Sequence, residues 1–349
     1  MFHAGAAHGG AEEEPRLPTD RIAAYLRAAR SGAAWLAEGQ RPDGSFDEGI
    51  PAIYKAPYAL DLLGLGWEAS QLLTWLAAEH LTEDGDFADP TRETAYEFIR
   101  RHALYPNTWL ALGAHRLSRL DVCYPAARFI IDGHWDPKWG GFYTNRHDDA
   151  PRQMDMLTTS MGGLVALHLG RLDVAMSGAS WLADMMNAQP ESDKLYVCQY
   201  ASGEPVMDFA PEDGSVHVLD FNEPGQAYFY PGIAMAFLCQ LYRAVGHRRY
   251  LDLAWRYWDW LKNCRDDLYS VPASGKLGYG LALYGSLARD ESAVAGAHAV
   301  GEYLLSTQGP DGHWDFPGAT RTSRSPMSPY DVTAESVVWL AEIAMALGR

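Results

Sequence analysis

The feature that most constrains this chain is an alternation. Apolar residues recur at helical spacing in segment after segment, with little period-two pattern, and the links between segments are short and long by turns. Twelve helices are predicted, over residues 21–40, 52–65, 68–81, 107–118, 121–132, 156–170, 172–189, 225–245, 248–264, 276–288, 291–307 and 331–347. After the second, fourth, sixth, eighth and tenth helices the link is brief: Gly66-Trp67, Arg119-Leu120, Arg171, Gly246-His247, Asp290. After the odd-numbered helices it is long and rich in Gly, Asp and aromatics. A link of one or two residues lays its helices antiparallel, so the chain reads as successive helical hairpins. Six hairpins at a spacing of roughly 50–60 residues predict an all-α fold, a closed (α/α)6 ring with one helix of each pair inside and one outside. The long loops then share one end, which should hold the functional cleft.

Composition narrows the function classes. The 349 residues carry 28 Lys+Arg against 45 Asp+Glu, a formal charge of −17, and a pI near 5 disfavours nucleic-acid partners and anionic membranes. With 48% hydrophobic and 21% charged residues, wholesale disorder is excluded. Apolar runs are soon broken by polar residues, so no membrane span is expected. Residues 1–18 have no cationic start followed by an apolar stretch. They read as a flexible leader without a secretory signal, ahead of a single ring domain over 19–349. Cys123, Cys198, Cys239 and Cys264 are far apart without CxxC or CxxH spacing, which predicts reduced thiols, a cytoplasmic setting and no metal. No GxGxxG or GxxxxGK run is present, so no cofactor is expected, and the partner is a small-molecule substrate. The oligomeric state stays open.

Two long loops share a signature. Trp35-Leu36 leads through Gln40 and Gly44 to Phe46, and Tyr303-Leu304 leads through Gln308 and Gly312 to Trp314. Weaker echoes are Gly85-Asp86-Phe87 and Gly140-Gly141-Phe142. The Gln can cap the outer helix, the Gly allows a positive-φ turn, and the aromatic packs back on the hairpin. These segments resemble the QW motifs of the α/α-toroid superfamily of terpenoid cyclases and protein prenyltransferases. The same ring is similar, more distantly, to N-acylglucosamine 2-epimerases and six-hairpin glycosidases. The resemblance implies the fold and leaves the reaction open.

Each family's chemistry is incomplete here. The Asp-x-Asp-Asp acid of class II cyclases is missing; the nearest runs are His147-Asp148-Asp149 and the single acid of Asp331-Val332-Thr333-Ala334. The zinc set of the prenyltransferases has only Asp121-x-Cys123, at the wrong end of the ring. The epimerases use inner-helix histidines, whereas His168 falls at the far end of its helix and no inner helix carries a well-placed histidine.

Each inner helix should start at the loop end and point its first turn into the cavity. That places Tyr54, Lys55 and Tyr58 there, then Tyr105, Asn107 and Trp109, then His147, Asp148, Asp149, Arg152 and Asp155. Asp220, Phe221, Asn222, Glu223, Gln226, Tyr228 and Tyr230 precede or open the next inner helix; Lys276 and Tyr279, then Tyr330, Asp331, Thr333 and Glu335, complete the set. Asp331, Asp155, Glu223 and Lys55 are the catalytic candidates. The wall candidates are Tyr54, Tyr58, Trp109, Trp139, Phe142, Arg152, Asn222, Gln226, Tyr228, Tyr279 and Tyr330. A single acid at a helix start can equally be a cap, and a carboxyl in an aromatic cavity can be a general acid. Residues 194–200 and 216–221 carry strand patterns around a turn at 207–214, predicting a β-hairpin over the mouth. Arg321 and Arg324, in the loop 316–329, could hold a carboxylate or phosphate. Trp255, Tyr257, Trp258 and Trp260 read as inter-helix packing.

Two functions fit. The first is a cyclase or isomerase of an unsaturated, largely apolar biosynthetic intermediate, held in an aromatic cavity and promoted by acid or hydrogen-bond catalysis. The alternative is a carbohydrate-active enzyme, an epimerase, glycosidase or lyase, using the cavity carboxylates.

Overall fold

The computed structural model describes residues 18–91, 97–145, 151–210, 213–316 and 327–348. Twelve helices build the ring. They are α1 (Pro18–Glu38), α2 (Ala56–Leu62), α3 (Gly66–His80), α4 (Tyr105–Arg116), α5 (Leu120–His134), α6 (Met156–His168), α7 (Leu172–Asn187), α8 (Phe229–Val245), α9 (Arg248–Leu261), α10 (Gly275–Ala288), α11 (Glu291–Ser306) and α12 (Pro329–Leu347). The even-numbered helices touch one another in order and α12 returns to α2, closing an inner circle. Each outer helix backs its hairpin mate, and α1 backs α12. The inner helices α4, α6, α8 and α10 are buried along almost their whole length, as their predominance of small and apolar residues on all faces requires.

The long loops share a working part. The aromatics Phe46, Phe87, Phe142 and Trp314 are all buried. Two residues before each stands a glycine at positive φ, Gly44, Gly85, Gly140 and Gly312. A Cβ on Gly140 would lie 2.5 Å from the Ser177 carbonyl oxygen of α7, and one on Gly85 would strike the Pro125 carbonyl of α5. The glycine therefore allows each loop to lie directly on the next outer helix. The Gln of the two strongest motifs does not cap its own helix. Gln40 Nε2 donates to the Gly44 carbonyl and across to Glu68 of α3, both at 2.9 Å. Gln308 Nε2 donates to Gly312 at 2.7 Å and to Ala28 of α1 at 2.9 Å. The Gln is a stitch between hairpins.

Several elements differ from expectation. The predicted inner helix 52–65 is a short helix, Ile50–Ile53, then a turn at Tyr54-Lys55, then α2. Pro57 cannot donate back along the helix, which breaks it just where Lys55 needs to face the axis. The helix expected from residue 225 begins only at Phe229. Short helices at Glu97–Arg101 and Gly214–His217 were not expected. The predicted hairpin divides: β2 (Lys194–Tyr196) pairs antiparallel with β4 (Val218–Asp220), but β3 (Cys198–Tyr200) pairs with β1 (Gln153–Asp155), a strand too short to show a period. Tyr257 and Trp258 pack inside as expected, whereas Trp255 is 46% exposed. His147, Asp148, Asp149, Arg321, Arg324 and the leader before Pro18 lie outside the described residues, as do Pro211 and Glu212. No described helix is long and apolar enough to cross a membrane.

Candidate functional site

At the long-loop end, the turn before α2, the first turn of α10 and the first two turns of α12 bring four charged side chains together. Lys55 Nζ lies 2.7 Å from Asp331 Oδ1 and 2.6 Å from Glu335 Oε2. Lys276 Nζ binds the other oxygen of Glu335. Trp339 Nε1 donates to that same oxygen at 3.0 Å. Asp331, Glu335 and Trp339 stand at i, i+4 and i+8 on α12, so one helical stripe delivers both acids and the indole. Lys55, Lys276 and Asp331 are each at most 3% exposed. Burial alone would lower the Lys276 ammonium, but the Glu335 carboxylate outweighs it and its pKa sits above the ordinary lysine value. Burial would raise Glu335, yet Lys276 and Lys55 hold it well below the usual carboxylate range. The quartet pairs two lysine amines with two carboxyl groups, and Lys276 and Glu335 hold each other in their charged forms.

Aromatic faces surround these charges. Lys55 Nζ is 4.7 Å from the Tyr54 ring centre, and Lys276 Nζ is 5.4–5.6 Å from Tyr105, Phe229 and Trp339. The Tyr105 hydroxyl is buried and no acceptor for its proton stands at hydrogen-bond distance among the described residues. Burial raises its pKa against the pull of both lysines.

A second cluster lies beside the first, under the β cover. His102 is fully buried in the turn before α4. Its Nδ1 is 2.9 Å from the Phe98 carbonyl, which can only accept, so that nitrogen carries the proton. Its Nε2 faces the Tyr230 hydroxyl at 2.9 Å and Asp155 Oδ2 at 3.5 Å. Burial lowers the His102 pKa, with Asp155 opposing, so the imidazole is neutral and can accept a proton. Tyr230 also reaches the Val216 carbonyl at 3.2 Å, so its one proton has two acceptors. His217, stacked on Phe209 with ring centres 4.8 Å apart, is pushed down to about 3 by burial and by Arg101 against its edge. His102 was not among the residues expected at the loop end. His102 sits in a turn outside any periodic segment, and only its Tyr105-Pro106 helix start pointed there.

The other candidates take varied places. Asp155 caps α6, accepting from the Thr158 N–H at 2.6 Å, besides its approach to His102. Tyr58 and Trp109, one turn further in, pack edge to face at 5.4 Å, and Trp109 meets Trp339 at 5.6 Å. Tyr279 lies on Trp339 at 5.8 Å and accepts from Gln240 at 2.9 Å. These four rings floor the axis around a void of about 30 Å³, with His168 at its far rim. Glu223 and Asn222 are exposed on the loop before α8. Gln226 Oε1 accepts from the Asp220 N–H at 3.1 Å, and Tyr228 donates to Asp267 at 3.1 Å. Trp139 donates to the Ala201 carbonyl at 3.0 Å, and buried Phe142 takes the Thr159 hydroxyl on its N–H at 3.0 Å. Arg152 lies 3.7 Å over the Tyr143 ring, and Tyr330 packs between Trp35 and Phe46 at about 5 Å. No group of three or more potential metal ligands occurs among the described residues.

No protein-family model and no curated protein matches the sequence. Solved structures do match over nearly the whole length. A D-mannose isomerase aligns with a TM-score of 0.67 at 11% identity, over 94% of this chain and 99% of its own. The fold is an α/α toroid. The GH76A alpha-1,6-mannanase from Salegentibacter sp. HEL1_6 is a similar toroid, with TM-score 0.60, 13% identity and 92% and 99% of the two chains covered. So is the type II terpene cyclase MstE from Scytonema, at 0.58 and 12%, covering 95% and 99%.

Proposed function

We propose that this toroid is a carbohydrate-active enzyme of the isomerase or epimerase type, working on a small hydroxylated substrate at the long-loop end. The observation that carries the reading is the quartet of Lys55, Asp331, Glu335 and Lys276 on the axis. An apolar substrate laid there would face four charged groups and offer them no hydrogen bonds, whereas sugar hydroxyls both donate and accept. The faces of Tyr105, Phe229 and Trp339, which a cyclase would turn on a developing cation, already surround the Lys276 ammonium. Sugar isomerisation takes a proton from the carbon beside a carbonyl, passes through an enediolate, and returns a proton to the neighbouring carbon or, in epimerisation, to the other face of the same one. His102, neutral and close to Asp155, is the base we assign; the Lys276 ammonium, kept charged by Glu335, would stabilise the enediolate oxygen. The similarity to a D-mannose isomerase agrees with this reading.

The test is a panel of hexoses incubated with the protein in D2O and followed by NMR. Deuterium entering at the carbon next to the carbonyl is the expected sign, and His102→Asn should slow it by about 100-fold or more. Hydrolysis of glycosides without exchange would replace the isomerase by a glycosidase. The cyclase reading has one observation of its own, the aromatic floor of Tyr58, Trp109, Tyr279 and Trp339. Turnover of a polyene, with every sugar inert, would establish it instead.

A further inference from the structure

Resting on the carbohydrate reading, we infer that the site selects a neutral sugar and rejects uronates and sugar phosphates. The reason lies in how the charges are already spent. Glu335 accepts from Lys55 on one oxygen and from Lys276 and Trp339 on the other. Asp331 accepts from Lys55. Two positive and two negative charges therefore cancel inside a buried cluster, where screening by water is weak. A carboxylate or phosphate that approached either ammonium would come within reach of Asp331 or Glu335 as well. Binding it would mean opening a buried ion pair, which leaves a carboxylate without its counter-charge.

Among the described residues the neighbouring cations are engaged elsewhere. Arg101 lies against the His217 ring, and Arg152 lies on the face of Tyr143. The Asp155 carboxyl lies 3.5 Å from neutral His102. A neutral sugar avoids the conflict. Its hydroxyls can donate to a carboxylate and accept from an ammonium or from the Tyr105 hydroxyl, with every ion pair left intact. Charge in this cluster therefore works as a filter against anions, and the hydroxyl pattern is read by groups already paired with one another.

Calorimetric titrations of the full chain at low ionic strength can test this with matched ligands: a neutral hexose, its uronic acid and its 6-phosphate. The neutral sugar should bind at least about tenfold more tightly than either anion. An anion that binds as tightly as the neutral sugar overturns the selectivity and leaves the carbohydrate reading standing. Binding of polyenes with no sugar bound overturns the carbohydrate reading, and the selectivity with it. Glu335→Gln supplies a gain-of-binding test, because it gives the cluster one net positive charge. It should bind the uronate about tenfold better than the wild type does. Asp331→Asn makes the same change in charge and serves if the first variant does not fold. A folded variant of either kind with unchanged uronate affinity would overturn the inference.

Discussion

The two layers of the toroid axis solve one packing problem in opposite ways. At the long-loop end the inner helices meet through Lys55, Asp331, Glu335 and Lys276. One to two turns deeper they meet through Tyr58, Trp109, Tyr279 and Trp339, joined by ring contacts and by neutral or singly charged hydrogen bonds such as Tyr58 to Glu342 at 2.9 Å. The floor shows that this ring can be filled with aromatics. Charges in the upper layer are thus not needed for closure, and burying them costs desolvation that apolar packing avoids. Their presence at the loop end is what a polar ligand would use.

The sharpest way to break this comparison is to remove one charge. Glu335→Ala leaves two buried ammoniums without their shared partner and should cost about 3–5 kcal/mol in urea unfolding. Glu335→Leu with Lys276→Met, which keeps the Lys55–Asp331 pair, should recover most of that loss; a double variant as unstable as the single one would show that the charges do hold the ring. On the floor, Trp109→Ala should also cost about 3–5 kcal/mol, here through a cavity. Glu342→Gln should cost under about 1 kcal/mol, since an amide oxygen still accepts from Tyr58.

Acid should separate the regions too. His217 has its pKa lowered to about 3, so the unfolded chain takes its proton near 6.5 while the folded chain does not. Its contribution is fully present above about pH 6.5 and is lost as pH falls toward 3, at about 1.4 kcal/mol per pH unit. His102, also lowered, adds in the same direction. Melting of His217→Phe across that window should show a shallower slope than the wild type. The smallest effect is expected at Glu223, exposed on its loop: Glu223→Gln should change turnover by less than about twofold, and a larger loss would return it to the site.

What the sequence made legible follows the reach of local rules. Helical period and link length are local, so the ring and the loop end could be read directly. Lys55, Asp331 and Glu335 could be placed because the start of an inner helix must face the axis. His102 could not, because it lies in a turn that obeys no period and its partners Tyr230 and Asp155 come from two other hairpins. Glu223 and Asn222 carry the right chemistry at the right place in the chain, yet the turn before α8 directs them to solvent. The pairing of β3 with β1 depended on a three-residue strand, which has no readable pattern.

The partnership of α1 with α12 bears on how the molecule is made. Gly348 lies against Ile22, and Gln308 reaches Ala28 across 280 residues of chain. The first ring helix to leave the ribosome therefore waits for the last before its apolar stripe is covered. Until then Tyr25, Ala29 and Leu36, all fully buried in the finished ring, stay open to water and to other nascent chains. Closing so long a loop is slow, and the seam between the first and last helices is where assembly should finish.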